Sequence, residues 1–456
     1  MFKKIISLSL LAIFILGSGF GCKTVDKKTQ EAMQPITLTY WRVFDDSDAF
    51  QEIIDKYKVI HPNITINYRK LRYEEYESEL LNALAEDRGP DMLSIHNTWL
   101  RKYQNKLAPM PASITMAYPI EQGSIKKEVV PVLKTAKSLS LSDLKNLFID
   151  TVYNDVVLDD NQIYGLPLSV DTLVLYYNRD LLNNAGITQA PQYWNKEFQQ
   201  NVKKMTKQDP VQGIIQSGIA LGGSNNINRF SDVLSVLMMQ NGATMMDGKQ
   251  VMFNAIPPAG QDKKYNPGLE ALRFYIDFSN PGKEVYSWNE SLPNSLEMFT
   301  SGKLAMMFGY SYDLATIKAQ APKLNFSISK LPQIEGSPVE VNFANYWVES
   351  VSKKSKYQNE SWDFIQFAAK EEQAKTYLAK TKKPTALRSL VNTQKEDDEL
   401  GVFASQLLTA KSWYRGKDAV AAEAALGEMI NSARQNTEKI LDAINTGAAK
   451  VQQTVN

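Results

Sequence analysis

The chain of 456 residues has one cysteine, Cys22, and two histidines, His61 and His96. A single thiol cannot close an internal disulfide, and this inventory excludes a thiolate zinc site and leaves little for imidazole ligation. Neither a metal nor a cofactor is expected. Charge of one sign is also scarce: the net charge is +1, whereas a nucleic-acid partner calls for a basic stripe. Apolar runs stop at Ile5 to Phe20, short of the roughly 20 residues that cross a bilayer. No internal repeat is present. Motifs for covalent or phosphate chemistry are missing as well: there is no G-x-S-x-G nucleophile elbow, and "IALGGSNN" lacks the lysine of a phosphate-cradling loop. A hydrolase would need a nucleophile with its base, or two carboxylates set across a bond.

What is present begins at the N-terminus. Lys3 and Lys4, the apolar run and the small residue Gly21 before Cys22 make residues 1–21 a secretory signal peptide. A cysteine at the cleavage point resembles the lipobox of bacterial lipoproteins, which implies a diacylglyceryl group on Cys22 and a membrane anchor. Gly19 stands where lipoboxes usually carry Leu. The alternative is an ordinary signal peptide with an incidental cysteine. Stable anchoring takes two or more acyl chains, at about 0.8 kcal/mol per buried CH₂. The polar stretch "KTVDKKTQEAMQP" completes residues 22–35 as a flexible lipidated tether. Without Lys3 and Lys4 the mature chain carries a net charge of −1.

Length sets the organisation of the rest. A single core stops growing beyond roughly 250–300 residues, and 43% hydrophobic residues suffice for two cores. "ITLTYW" reads as a strand, and "DDSDAFQEIIDKYKVIHP" places Phe50, Ile53, Ile54 and Tyr57 on one helical face ending at Pro62. "ITINY" is a second strand, "YEEYESELLNALAEDRGP" a second amphipathic helix, and "DMLSI" a short buried strand. The β-α-β-α-β order predicts a parallel sheet with right-handed crossovers. Ligands of such sheets sit beyond the carboxyl ends of the strands, which singles out the loops "WRVFDDSD" and "HNTW".

These segments, with "YGLPLSVDTLVLYYNRDLLNNAGI", "MFTSGKLAMMFGYSYDL" and "SWDFIQFAAKEEQAKTYLAKTKKPTALRSL" in the same order, resemble family 1 extracellular solute-binding proteins. These are the sugar-binding subunits of ABC importers of the maltose and multiple-sugar type. The resemblance covers nearly the whole mature chain. It implies an α/β, two-lobe, hinge-bending fold of the type II periplasmic-binding-protein kind. It also implies a carbohydrate ligand, ABC permease subunits as partners, and no reaction in this chain. The lobes are expected at 36–170 with 346–383, and at 171–345 with 384–456. Crossings would fall near Ser169–Asp171, at "NFANYWVESVSKKS" and at "KKPTALRSL". The hairpin "MMDGKQVMF" should turn at Asp247-Gly248.

Sugars present apolar C–H faces between hydroxyls, so their sites combine flat rings with fixed polar groups. Trp41 closes the first strand, and Asp45 is the acid in "DDSD" left free once Asp46 and Asp48 serve as helix caps. The resemblance points to His96, Asn97 and Trp99, where maltose-type relatives carry an acid and an indole, and to Asp171 at the hinge. It also points to Tyr310 and Tyr312, Tyr346 and Trp347, and Trp413. A "YSY" in a strand would put Tyr310 and Tyr312 on one face. Tyr176 and Tyr177, being adjacent in a strand, point to opposite faces and cannot both reach a ferric-ion site. Any single Trp can instead pack a core, and His61 is expected at a surface helix end. A monomer is expected. The competing readings are a secreted carbohydrate-active enzyme, or the same fold with a polyamine, peptide or metal complex as ligand.

Overall fold

The structure, a computed structural model, describes residues 27–122, 127–258 and 264–455. The expected signal peptide and Cys22 lie outside the described residues. The tether expected over 22–35 is not free along its length. Lys27–Ala32 forms a short helix, α1, that buries Thr29, and the Asn63 amide donates to the carbonyls of Ala32 and Gln34 at 3.1 and 3.3 Å.

The alternating period of the sequence then builds β1 (Ile36–Val43), α2 (Asp48–Ile60), β2 (Ile64–Leu71), α3 (Tyr73–Ala85) and β3 (Met92–His96). In α2 the buried side chains are Ala49, Phe50, Ile53 and Tyr57, the face set by the 3.6-residue period. β4 (Leu107–Ala108) is followed by a ribbon of β5 (Ser113–Gln122) and β6 (Glu128–Lys137), then by α4 (Asp150–Val156). His61, expected at the surface, is 2% exposed. The ribbon folds over the end of α2, so the imidazole lies 3.3 Å from Asp363 and 3.3 Å from the Ala117 carbonyl.

A second unit follows with β7 (Asp171–Thr172), β8 (Val174–Asn178), α5 (Phe230–Gln240), β9 (Met306–Gly309), α6 (Ser311–Gln320), β10 (Phe326–Ser329) and β11 (Asn342–Asn345). The chain returns as β12 (Trp347–Ser352), α7 (Gln358–Ala368) and α8 (Glu371–Thr381). It ends with β13 (Ala410–Lys411), α9 (Ala419–Gln435) and α10 (Ile440–Gln453).

The first sheet has the order β2-β1-β3-β12-β4. β1 is parallel to β2 and β3, as the β-α-β pattern requires. β12 arrives from the second unit and pairs antiparallel with β3 and β4, so the sheet is mixed rather than wholly parallel. The second unit has the antiparallel sheet β9-β8-β10. Two main cores form: one around Leu38, Phe50, Leu93, Val348 and Trp362, the other around Leu173, Phe198, Leu234, Leu272 and Ile444.

Between them lies a three-stranded sheet, β13-β11-β7, in which Asn345 pairs with Asp171 and Phe343 with Lys411. Crossings near Asp171 and at Asn342–Trp347 are therefore side by side. The third strand of this sheet is Ala410–Lys411 rather than "KKPTALRSL", whose Ala386, Leu387 and Leu390 pack in the first core. The hairpin at Met246 turns one residue later than expected: Asp247 pairs with Gln250, leaving Gly248, at φ +55, and Lys249 in the turn. No helix among the described residues is long and apolar enough to cross a membrane.

Candidate binding site

A cavity of about 540 Å³ opens where the carboxyl ends of β1 and β3 meet the second unit and the connecting sheet. From the first unit, the loop after β1 contributes Arg42 to Asp45, and the turn after β3 contributes His96 to Trp99. The start of β12 contributes Trp347. The second unit contributes Arg229, Asp232, Tyr312, Trp413 and Glu423, while Asp171, Asn345, Tyr346 and Ser412 line the junction.

Of the residues singled out from sequence, Asp45, His96, Asn97, Trp99, Asp171, Tyr312, Tyr346, Trp347 and Trp413 line this cavity; Trp41 and Tyr310 do not. Trp41 is a core residue, 7% exposed, with the Arg69 guanidinium 4.7 Å over its ring. Tyr310 fails because "YSY" is not a strand. β9 ends at Gly309 and Ser311 begins α6, capped by the Asp313 carboxylate on the Tyr310 amide. Tyr310 is fully buried and donates its hydroxyl to Asp232 at 2.7 Å. Tyr312 stacks on it at 5.8 Å and stays 52% exposed. Tyr176 is likewise buried, in a small core beside the second one.

The first-unit wall is aromatic. Trp347 meets Trp99 at 5.4 Å, Phe44 at 5.7 Å and His96 at 5.7 Å, all edge to face. Phe44 and Tyr73 stack at 5.8 Å and are 53% and 51% exposed. Neither ring was singled out from sequence. Phe44 lies inside the flagged loop "WRVFDDSD", where a left-handed φ of 70° turns it outward. Tyr73 follows β2, and applying the carboxyl-end rule to that strand too would have found it.

The charged groups are tied together. Arg42, 3% exposed, reaches Asp45 at 3.1 Å and Glu349 at 2.9 Å, with Phe50 stacked 4.6 Å below. Lys383 donates to Asp45 at 2.6 Å and the Tyr377 hydroxyl donates to it at 2.8 Å. Burial pushes the Asp45 carboxyl up, but Arg42 and Lys383 outweigh it and hold its pKa below the ordinary value. Arg229 pairs with Asp232 at 2.7 Å. Among the described residues, every lysine and arginine of the cavity wall thus has a carboxylate partner.

The remaining polar groups are positioned by hydrogen bonds. Asp155 accepts from Tyr346 at 2.7 Å, from Ser412 at 2.6 Å and from the Asn97 amide at 3.1 Å. The Asn97 carbonyl oxygen is buried with no hydrogen-bond partner among the described residues. Asp171 accepts from the Ser311 amide and hydroxyl at 2.9 and 2.6 Å, yet burial dominates and raises its pKa to about 7. His96 receives the Thr98 hydroxyl at Nδ1 (2.7 Å) and gives Nε2–H to Asn345 (2.5 Å). Burial, helped by Arg229, lowers its pKa to about 4, so the ring is neutral. Glu423 is raised by burial, partly offset by Arg229.

The chain is 25% identical to the sn-glycerol-3-phosphate-binding periplasmic protein of Salmonella typhimurium over 370 residues, 77% of this chain and 75% of that one. It is 25% identical to the galactooligosaccharide-binding protein of Bacillus subtilis over 252 residues, 55% of each. The crystal structure of the cyclic α-maltosyl-1,6-maltose binding protein from Arthrobacter globiformis superposes with a TM-score of 0.71 at 17% identity, covering 92% of this chain and 99% of that one. At that identity the likeness establishes the two-lobe fold and nothing finer. The model of the bacterial extracellular solute-binding protein family matches residues 44–375, and the chain belongs to that family.

Proposed function

We propose that this protein captures a carbohydrate, an oligosaccharide, in the cavity between its lobes and delivers it to the permease of an ABC importer. It does so as a monomer held to the membrane by lipid on Cys22. The observation that carries the ligand class is the combination of half-exposed rings with neutralised charge. Phe44, Tyr73 and Tyr312 present apolar faces to the cavity, suited to the C–H faces of sugar rings. Asn97 lines the same cavity, its amide held by Asp155 at 3.1 Å.

The Salmonella relative suggests a phosphate ester as ligand. That would need a cation free to meet it, and Arg42, Lys383 and Arg229 are each taken by a carboxylate. Asp45, Asp155 and Asp171 are engaged as acceptors for neighbouring side chains, which supports binding without catalysis. The lobes would move about the β13-β11-β7 sheet, since a ligand shifts such an equilibrium only by touching both sides.

Calorimetry with malto-, galacto- and manno-oligosaccharides and with sn-glycerol 3-phosphate tests this reading. Heat with a neutral oligosaccharide, none with the phosphate ester and no turnover of the sugar are expected. Binding of the phosphate ester alone would overturn the assignment.

A further inference from the structure

Three residues of the cavity wall share one anchor that is not itself part of the lining. Asn97 is the first residue after β3, Tyr346 the first after β11 and Ser412 the first after β13. All three bond to the carboxylate of Asp155 on α4. Oδ2 accepts from the Asn97 amide at 3.1 Å and from the Tyr346 hydroxyl at 2.7 Å, and Oδ1 accepts from the Ser412 hydroxyl at 2.6 Å. The Arg415 guanidinium approaches Oδ1 to 3.9 Å. Asp155 is 7% exposed and does not line the cavity. α4 packs both against the turn after β3 and against β13, which brings the carboxylate to the three strand ends.

Those strands belong to different parts of the molecule. β3 is in the first sheet, whereas β11 and β13 are neighbours in the connecting sheet, and Ser412 leads directly into Trp413 and Tyr414 of the second core. We propose that Asp155 is a positioning residue that fixes the angle between the lobes, by tying the ends of two connecting strands to the turn that carries Asn97. The proposal rests on the reading of the cavity as an interlobe binding site.

The energetics follow from the burial of the carboxylate. Hydrogen bonds to a charged acceptor are roughly twice as strong as neutral ones, and burying a charge is costly unless its partners stay in place. A rotation about the connecting sheet that draws Ser412 and Arg415 away from α4 would leave Asp155 with Asn97 and Tyr346 alone. Such angles are disfavoured. The lobes therefore populate the angle at which Asn97, Tyr346 and Ser412 meet in one wall, and a ligand that needs this wall does not have to assemble it first. Asp159, in the loop after α4, also reaches the second unit, 3.9 Å from Lys249. Its side chain is 55% exposed, so solvent screens that pair and it contributes little.

The test uses the full chain carrying Cys22→Ser, so that introduced thiols are the only ones. Spin labels at Val59→Cys in the first unit and Val211→Cys in the second, 80% and 93% exposed, report the interlobe distance by pulsed electron paramagnetic resonance without ligand. Asp155→Asn and, separately, Ser412→Ala are expected to broaden that distance distribution. Each should also weaken, by about tenfold, whichever malto-, galacto- or manno-oligosaccharide the parent binds in calorimetry. Ser412→Thr, which keeps the hydroxyl, should retain the parent distances, and Asp159→Asn should leave distance and affinity unchanged. An unaltered distribution in Asp155→Asn and Ser412→Ala overturns the proposal, as does a lower melting temperature with distance and affinity intact, the mark of a brace within the first lobe. If Asp155→Asn fails to fold, Ser412→Ala decides alone. Because the distances are read without ligand, a protein that binds no sugar refutes the carbohydrate reading while Asp155 is still judged on them.

Discussion

Tyr312 offers the cleanest separation of ligand binding from folding. It is the second residue of α6, stacked on the buried Tyr310 at 5.8 Å, 52% exposed and part of the cavity lining. An aromatic side chain buries 150–250 Å² when fully enclosed, so about 100 Å² of Tyr312 is available for a ligand to cover. At about 25 cal/mol per Å², that area is worth roughly 2.5 kcal/mol, or on the order of 50-fold in affinity. Tyr312→Ala forfeits this together with the stack on Tyr310, itself worth about 0.5–1.5 kcal/mol. The ligand-free protein should therefore lose little stability while affinity falls between tenfold and a hundredfold. Tyr312→Phe, which keeps the ring, should bind within a few-fold of the parent. Titration calorimetry with the tightest sugar and thermal unfolding of the apo protein read the two quantities separately. Unchanged affinity in Tyr312→Ala, or a fall in melting temperature with binding intact, would refute the placement of the ligand against this ring.

Arg42→Met should destabilise the fold by about 3–5 kcal/mol, because Asp45 and Glu349 would be left buried without their shared cation; denaturant unfolding of the apo protein measures it, and a near-neutral effect would mean the two acids find other partners. Trp41→Phe, at a ring that does not line the cavity, should leave sugar affinity unchanged, and a tenfold loss by calorimetry would put Trp41 back in the site. Asp171, raised from 3.8 to about 7, keeps a proton that the unfolded chain gives up, so the stability it contributes is complete below pH 3.8 and is lost as pH rises through 7. His96, lowered from 6.5 to about 4, works the other way: its contribution is present above pH 6.5 and is lost as pH falls through 4. The melting temperature of Asp171→Asn relative to the parent should therefore climb between pH 4 and 7, and that of His96→Gln relative to the parent should decline from pH 4 to 6.5; differences independent of pH would refute both assignments.

The first three strands and two helices were legible because their information is local. Phe50, Ile53 and Tyr57 repeat at the helical period, and one face of α2 is buried accordingly. The position of the cavity followed as well, since a parallel β-α-β start dictates that ligand groups collect at the carboxyl ends, where Asp45 and His96 to Trp99 are found. Tyr310 and Tyr312 show where local information ends. Two residues apart, they would share a face in a strand. The Asp313 cap starts a helix at Ser311 instead, sending one ring into the core and leaving the other in the cavity. His61 was hidden for a different reason: nothing in "HPNI" reports a ribbon whose strands start more than fifty positions later.

Length and composition by themselves indicated two cores and no internal disulfide, the alternating strand and helix periods indicated an α/β chain, and the motifs indicated the solute-binding family. Only the tertiary structure decided the pairing of charges. Arg42 with Glu349, Lys383 with Asp45, and Asp155 with Ser412 join residues that are distant in sequence. Coulomb and hydrogen-bond energies depend on separations of a few ångströms that no local pattern encodes. Those pairings leave each lysine and arginine of the cavity wall with a carboxylate partner, which is the ground for proposing a sugar rather than an anion as ligand.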